Sequence, residues 1–241
     1  MNADGGGRIG RTRRMQRTHR ACRKTSSLCA TVPFDVRNEL RKDARRPGWR
    51  STYRLPQWLK GYVGLENDAL SAKVFSLELV PGLFQTENYA RQLHAMSQLS
   101  HDEIEQRVTA RLQRQQRLTD HHPLTLATVI SEGALHRLSA DPDVAVAQLH
   151  HLASRAELPN VSMRILPFNA GLHRSMSGSF TLLEFAPGVS SPIAYQEYAV
   201  GGHLVDDHNE VRELSDVYDQ LQAQALDETS SLNMILELIK R

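Results

Sequence analysis

The feature that most constrains this chain is a change of hydrophobic period near its middle. Up to about residue 120, apolar side chains recur every three or four positions, the spacing of one helix face. Thr86 opens a helix with Tyr89, Ala90, Leu93 and Met96 on one side. Ser100 and Glu103 form a capping box for the next helix, whose Ile104, Val108, Leu112 and Leu118 keep the spacing up to the His121-His122-Pro123 break. Beyond it come LTLATVI (124–130), VSMRILPF (161–168), SFTLLEF (179–185) and PIAYQEY (192–198). These short runs are rich in β-branched and aromatic residues and bounded by Gly, Pro, Asn or Ser, the composition of strands.

Between the first two runs, Asp141 as N-cap and Pro142 at the first helical position announce a helix with Ala145, Leu149, Leu152 and Ala156 on one face. Strand, helix, strand implies a parallel crossover, because no tight turn can join parallel neighbours. The three runs from residue 161 onward follow one another through loops too short for a helix, so they are expected to pair as a meander in a mixed sheet. KVFSLELV (73–80) is a further extended stretch, closed by Pro81-Gly82. Helices are expected at both ends. Asp35 caps one with Val36, Leu40 and Ala44, stopped by Pro47-Gly48, and a second starts at Pro56 with Trp58, Leu59, Tyr62, Val63 and Leu65 turned inward. Near the C-terminus, Val211, Leu214, Tyr218, Leu221 and Ala225 share a face, and Asp227 caps a last helix with Leu232, Ile235 and Leu238 or Ile239. The expected fold is α/β, a small mixed sheet of four to five strands with one parallel crossover, flanked by N-terminal and C-terminal helices.

Charge divides the chain more sharply than its net +2 suggests. Residues 1–60 hold 16 Lys and Arg against 4 Asp and Glu, net +12, and residues 61–241 hold the other 13 against 23, net −10. Eight cations, Arg8, Arg11, Arg13, Arg14, Arg17, Arg20, Arg23 and Lys24, crowd a stretch with no aromatic residue. Too little apolar surface is present there to offset chain entropy, so residues 1–31 read as a disordered basic arm. Such an arm either attracts nucleic acid weakly and without sequence preference or has no specific role. Residues 32–241 read as one domain. The two cysteines, Cys22 and Cys29, would close only a short local loop, which suits a reducing cytoplasm. No run of eighteen apolar residues occurs and no apolar segment follows the basic N-terminus, so neither membrane spanning nor secretion is expected.

Motifs that would announce an enzyme or a cofactor are missing. The 11 histidines form no H-E-x-x-H or H-x-H pattern, and the adjacent pairs His121-His122 and His150-His151 would point their rings apart on a helix, so no metal is expected. The run SMSGS (175–179) lacks the glycine a nucleophile elbow needs, and no phosphate-binding glycine loop is present, so no cofactor is expected. Three features carry binding candidates instead. Arg107, Arg111, Arg114 and Arg117 recur at helical spacing, a stripe for an anionic ligand or a solvated face paired with neighbouring acids. The loop FNAGLHRSMSG (168–178) is longer than a hairpin requires and carries His173. Glu132 follows a strand directly and Glu197 lies inside one, a costly place for an acid unless it is paired or faces water. Glu132, Arg137, His173 and Glu197 could therefore build a pocket, or be a structural ion-pair network or separate surface residues.

Several stretches resemble a known family. They are GW (48–49), WLKGYVGLENDA (58–69), LVPGLFQTENYAR (79–91), RVTARLQRQQRL (107–118), SEGALHR (131–137), AQLHHL (147–152), NVSMRILPFNAGLH (160–173) and SGSFTLLEF (177–185). In order and spacing they resemble, over 48–238, the domain of unknown function that follows an XRE-type helix-turn-helix in actinobacterial transcription regulators, including WhiJ-like and antitoxin-like ones. The resemblance implies a non-catalytic module that modulates gene expression by binding a small-molecule ligand or a small partner protein, possible as a homo-oligomer. It supplies no catalytic residues. The residues before the match lack the apolar helical pattern and central turn of a recognition helix. Sequence-specific DNA reading is therefore not expected of this chain. The alternative is a small enzyme using the Glu132, Arg137, His173 and Glu197 group as a reworked sensor pocket.

Overall fold

The computed structural model describes residues 55–138, 140–199 and 201–240. The basic arm and the helix expected over 35–44 lie outside them. All described residues belong to one unit.

Helix α1 (Gln57–Asp68) leads into strand β1 (Ser71–Ser76), and a short 3-10 turn at Gly82–Phe84 leads to α2 (Glu87–Ala95) and α3 (His101–Gln115). Then come β2 (Thr125–Ser131), the short α4 (Glu132–His136), α5 (Pro142–Ala156) and β3 (Val161–Leu166). Strands β4 (Phe180–Glu184), β5 (Ile193–Tyr198) and β6 (Gly201–Val205) precede α6 (His208–Gln224) and α7 (Glu228–Ile239). The capping residues act as their chemistry dictates. Thr86 accepts from the Tyr89 amide, Ser100 and Glu103 satisfy each other's backbone amides, and Asp141 and Asp227 cap α5 and α7.

The six strands form one mixed sheet in the order β3-β2-β1-β4-β5-β6. β1, β2 and β3 are mutually parallel, whereas β4 runs antiparallel to β1 and begins an antiparallel run through β5 and β6. One face packs Ala72, Leu126, Ile130, Met163, Ile165, Leu183 and Ile193 against α1, the 3-10 turn, α5 and α7. The other packs Phe75, Val129, Phe180, Leu182 and Ala194 against α6 through Val211, Val217, Tyr218 and Leu221. A sheet buried on both faces needs apolar residues at successive positions, which is why its parallel strands read as runs rather than alternations. The outer edge of β3 is closed by the entry to α7, where the Leu226 amide donates to the Ile165 carbonyl (2.9 Å) and the Ile165 amide donates to Ser231 Oγ (2.8 Å).

Three expectations need correction. The sheet has six strands rather than four to five, because GGHLV (201–205) is a strand despite its two glycines. Two parallel crossovers exist rather than one, since the helices between residues 77 and 124 also return the chain to a parallel neighbour. Strand β3 stays outside the meander: the chain crosses from the sheet edge to add β4 beside β1. The loop 167–179 spans that distance, so its length serves topology as well as any site.

Candidate functional site

Because β1, β2 and β3 are parallel, their C-terminal residues Ser76, Ser131 and Leu166 share one end of the sheet. In open α/β sheets ligands bind outside the carboxyl ends of the parallel strands. Here the segments after β1, β2 and β3 enclose a cleft of about 590 Å³. Leu77, Leu166, Phe168 and Met176 supply apolar wall, and His136, Arg137, Glu78 and His173 supply polar groups. Phe168, Leu172 and Met176 are largely exposed although apolar, Leu172 at 87%. Large apolar side chains gathered in the open around a concavity mark binding surface more often than isolated ones do.

The cleft's polar groups hold its walls together. Glu132 accepts from the Phe168 amide through one oxygen (2.7 Å) and faces His136 Nε2 through the other (3.4 Å), which ties α4 to the loop after β3. The His136 and Phe168 rings stack with centroids 5.8 Å apart. Arg137 pairs with Glu78 at 2.6 Å, joining the segments after β1 and β2 across an exposed rim. His173 sets its ring edge against Phe75 (5.4 Å), and its Nδ1 accepts from the Ser175 amide (3.3 Å). That bond assigns the proton of the neutral imidazole to Nε2, which is left as a donor. Burial pushes His173 below the usual imidazole value and favours this neutral form. The loop is fixed further by Ser175 Oγ donating to the Gly178 carbonyl (2.6 Å) and by Gly171, whose φ of 75° favours glycine.

Glu197 goes elsewhere. It lies on β5 at the exposed end of a second polar cluster, where its charge acts on Arg111 and Arg114 of α3. The structure thus brings Arg137 and His173 into the lining of the strand-end cleft, holds Glu132 behind it on the wall residues Phe168 and His136, and leaves Glu197 outside it. In the second cluster Arg114 donates through Nε and Nη2 to the two oxygens of Glu66, both at 2.8 Å, and the Tyr62 hydroxyl donates to the same carboxylate (2.7 Å). Glu66 is 2% exposed and Arg114 8%. Burial and the adjacent Glu66 charge push the Tyr62 hydroxyl well above its ordinary value. Arg111 donates to Gln85 Oε1, while Gln85 Nε2 donates to the Val80 carbonyl (2.6 Å). Arg117 lies apart from this cluster, donating to the carbonyls of His122 (2.6 Å) and Ala69 (2.9 Å). Of the arginine stripe, Arg114 is buried and paired with an acid of neighbouring α1, whereas Arg107, Arg111 and Arg117 are half-buried.

Sequence reasoning did not single out His136, Phe168, Glu78, Glu66 or His94. His136 had a local signal, its spacing of four from Glu132. Glu66 had one as well, an acid four residues after Tyr62 inside an otherwise apolar turn. Arms of the basic segment, Arg8 to Lys24, lie outside the described residues. Among the described residues no helix is long and apolar enough to cross a membrane.

Fold and cleft together define the class: an α/β domain of three layers, helices on both faces of one mixed sheet, with a ligand-sized crevice at the C-terminal ends of its parallel strands. Residues 59–237 match the family described as a domain of unknown function, DUF5753, and the chain belongs to that family. No curated protein and no solved structure matches it.

Proposed function

We propose that this chain is a non-catalytic sensing module of a transcription regulator, and that the strand-end cleft receives a small amphipathic ligand or an apolar side chain of a small partner protein. One observation carries the reading: the carboxylates and the guanidinium at the cleft are spent on structure while its apolar groups stand open. Both Glu132 oxygens and the Arg137 guanidinium are engaged within the protein, whereas Phe168, Leu172 and Met176 are exposed at the mouth. A site built for general acid–base chemistry would present its carboxylate to the substrate rather than to a backbone amide. The regulatory context comes from the resemblance to domains carried by helix-turn-helix regulators, and the cleft adds the place where a signal would enter.

Gly133 offers the test. A Cβ there would meet Ser131 Oγ at 3.4 Å and the Phe168 ring at 3.7 Å, so a larger side chain extends into the cleft. The anionic dye anilinonaphthalene sulfonate has the apolar body and polar head that the cleft suits. It is expected to bind the folded full chain at one site, and Gly133→Leu is expected to weaken binding about tenfold or more, the effect of about 1.4 kcal/mol of lost contact. In cells lacking the chain, transcript levels should shift, and the Gly133→Leu chain should fail to restore them. Unchanged transcripts would remove the regulatory reading, and dye binding indifferent to Gly133→Leu would remove the cleft.

A further inference from the structure

We propose that the hollow between α1 and α3, bounded by His94, Arg107, Arg111 and Arg114, is an oxyanion-binding site independent of the strand-end cleft. Its other wall is apolar, formed by Leu55, Leu59 and Val63. The space enclosed is about 10 Å³, room for roughly one water-sized atom, so it takes one oxygen of the anion end-on with the remainder projecting from the mouth.

The argument rests first on charge and on unfilled hydrogen bonds. Arg107, Arg111 and Arg114 bring three guanidiniums to one side of α3. Against them stand Glu66, whose oxygens are already taken by Arg114 and Tyr62, and Glu197, whose pull reaches Arg111 and Arg114. Arg107 keeps its Nε without an acceptor in this half-buried place, an arrangement that costs free energy unless an acceptor completes it. Among the described residues, Arg107 Nε and His94 Nε2 are buried without a hydrogen-bond partner. Buried polar groups are nearly always paired, so two orphans lining one hollow point to a missing acceptor. An anionic oxygen satisfies both where the His94 proton sits on Nε2, Arg107 Nε–H and His94 Nε2–H then each donating to it.

The titration behaviour of the same groups agrees. Burial, then the charges of Arg111 and Arg107, holds His94 down to about 4. Burial and the neighbouring Arg114 lower Arg111 to about 10. In both, burial is the largest cause and neighbouring guanidinium charge the second. Gly82 lies against this cluster, where an added Cβ would meet Arg114 Nη1 and Nη2 at 3.7 Å and Arg111 Cζ at 4.0 Å.

The test uses the full chain at constant ionic strength, titrated with inorganic phosphate in one arm and acetate in the other, followed by the His94 imidazole NMR signal assigned from its absence in His94→Gln. Saturable movement of that signal is expected, with the His94 pKa rising by about one unit or more as the anion offsets the arginines. The arm that moves it shows whether the site prefers a phosphate or a carboxylate. Arg107→Gln should weaken the effect about tenfold or more, as for loss of a charge-assisted hydrogen bond. The cations between Arg8 and Lys24 can also draw phosphate, but binding there leaves the His94 signal in place. A His94 signal unmoved by both anions overturns the proposal even if Arg107→Gln fails to fold, and so does an equal shift in a folded Arg107→Gln.

Discussion

At the residue scale, the most consequential side chain is one that composition makes inconspicuous. Glu66 sits on the inward face of α1 and accepts two bonds from Arg114 and one from Tyr62. The Arg114 guanidinium also lies over the Tyr62 ring at 5.4 Å. A pair buried this deeply contributes little relative to an apolar pair of the same volume, but breaking it from one side strands a charge. Glu66→Gln should therefore cost about 3–5 kcal/mol in urea unfolding. Replacing both partners, Glu66→Leu with Arg114→Met, should recover most of that, short of about 1–3 kcal/mol for the stranded Tyr62 hydroxyl. A single substitution costing under about 1 kcal/mol would mean that water reaches the pair and solvates the survivor.

At the scale of elements, β5 and β6 show why a strand can hide from its own sequence. Tyr195 stacks on Tyr62 with centroids 4.2 Å apart and lays its phenol across β6, so that a Cβ on Gly202 would meet its hydroxyl at 2.4 Å. Glycine is required there by packing, although glycine is a poor strand former. Gly202→Ala should push Tyr195 off Tyr62 and cost about 1–3 kcal/mol, the usual result of overpacking. Gly178→Ala, with nothing within 4 Å, serves as the control, and equal effects in a thermal melt would deny the close approach. The same reasoning explains what could be read beforehand. Helix starts were legible because Thr86, Ser100, Asp141 and Asp227 cap through local chemistry that needs no partner. The runs at 124–130, 161–168, 179–185 and 192–198 were legible because a sheet covered on both faces selects β-branched and aromatic residues in succession. Strand order was not, since nothing local to β3 says that the chain then crosses to β1. The candidate site was half legible for that reason. Glu132, Arg137 and His173 follow the ends of parallel strands, whereas Glu197 lies on the antiparallel half, and only the topology separates them.

At the scale of the whole molecule, charge asymmetry decides what the chain does near nucleic acid. Residues 61–241 carry net −10 and repel phosphates, while eight cations fall within the seventeen positions from Arg8 to Lys24. Those positions hold no aromatic residue to stack on bases, and neither half shows a helix patterned to read a groove. Binding to DNA should therefore be electrostatic and indifferent to sequence, driven by release of counterions. With about six to eight phosphate contacts, affinity is expected to fall on the order of 10³-fold or more between about 50 and 200 mM salt. Removing residues 1–31 should abolish the binding and leave the stability of the rest within about 0.5 kcal/mol, as for changes away from packed features. The measurement is a salt titration of DNA binding for the full and the shortened chain. Undiminished binding by the shortened chain would show that the acidic part carries a nucleic-acid site of its own.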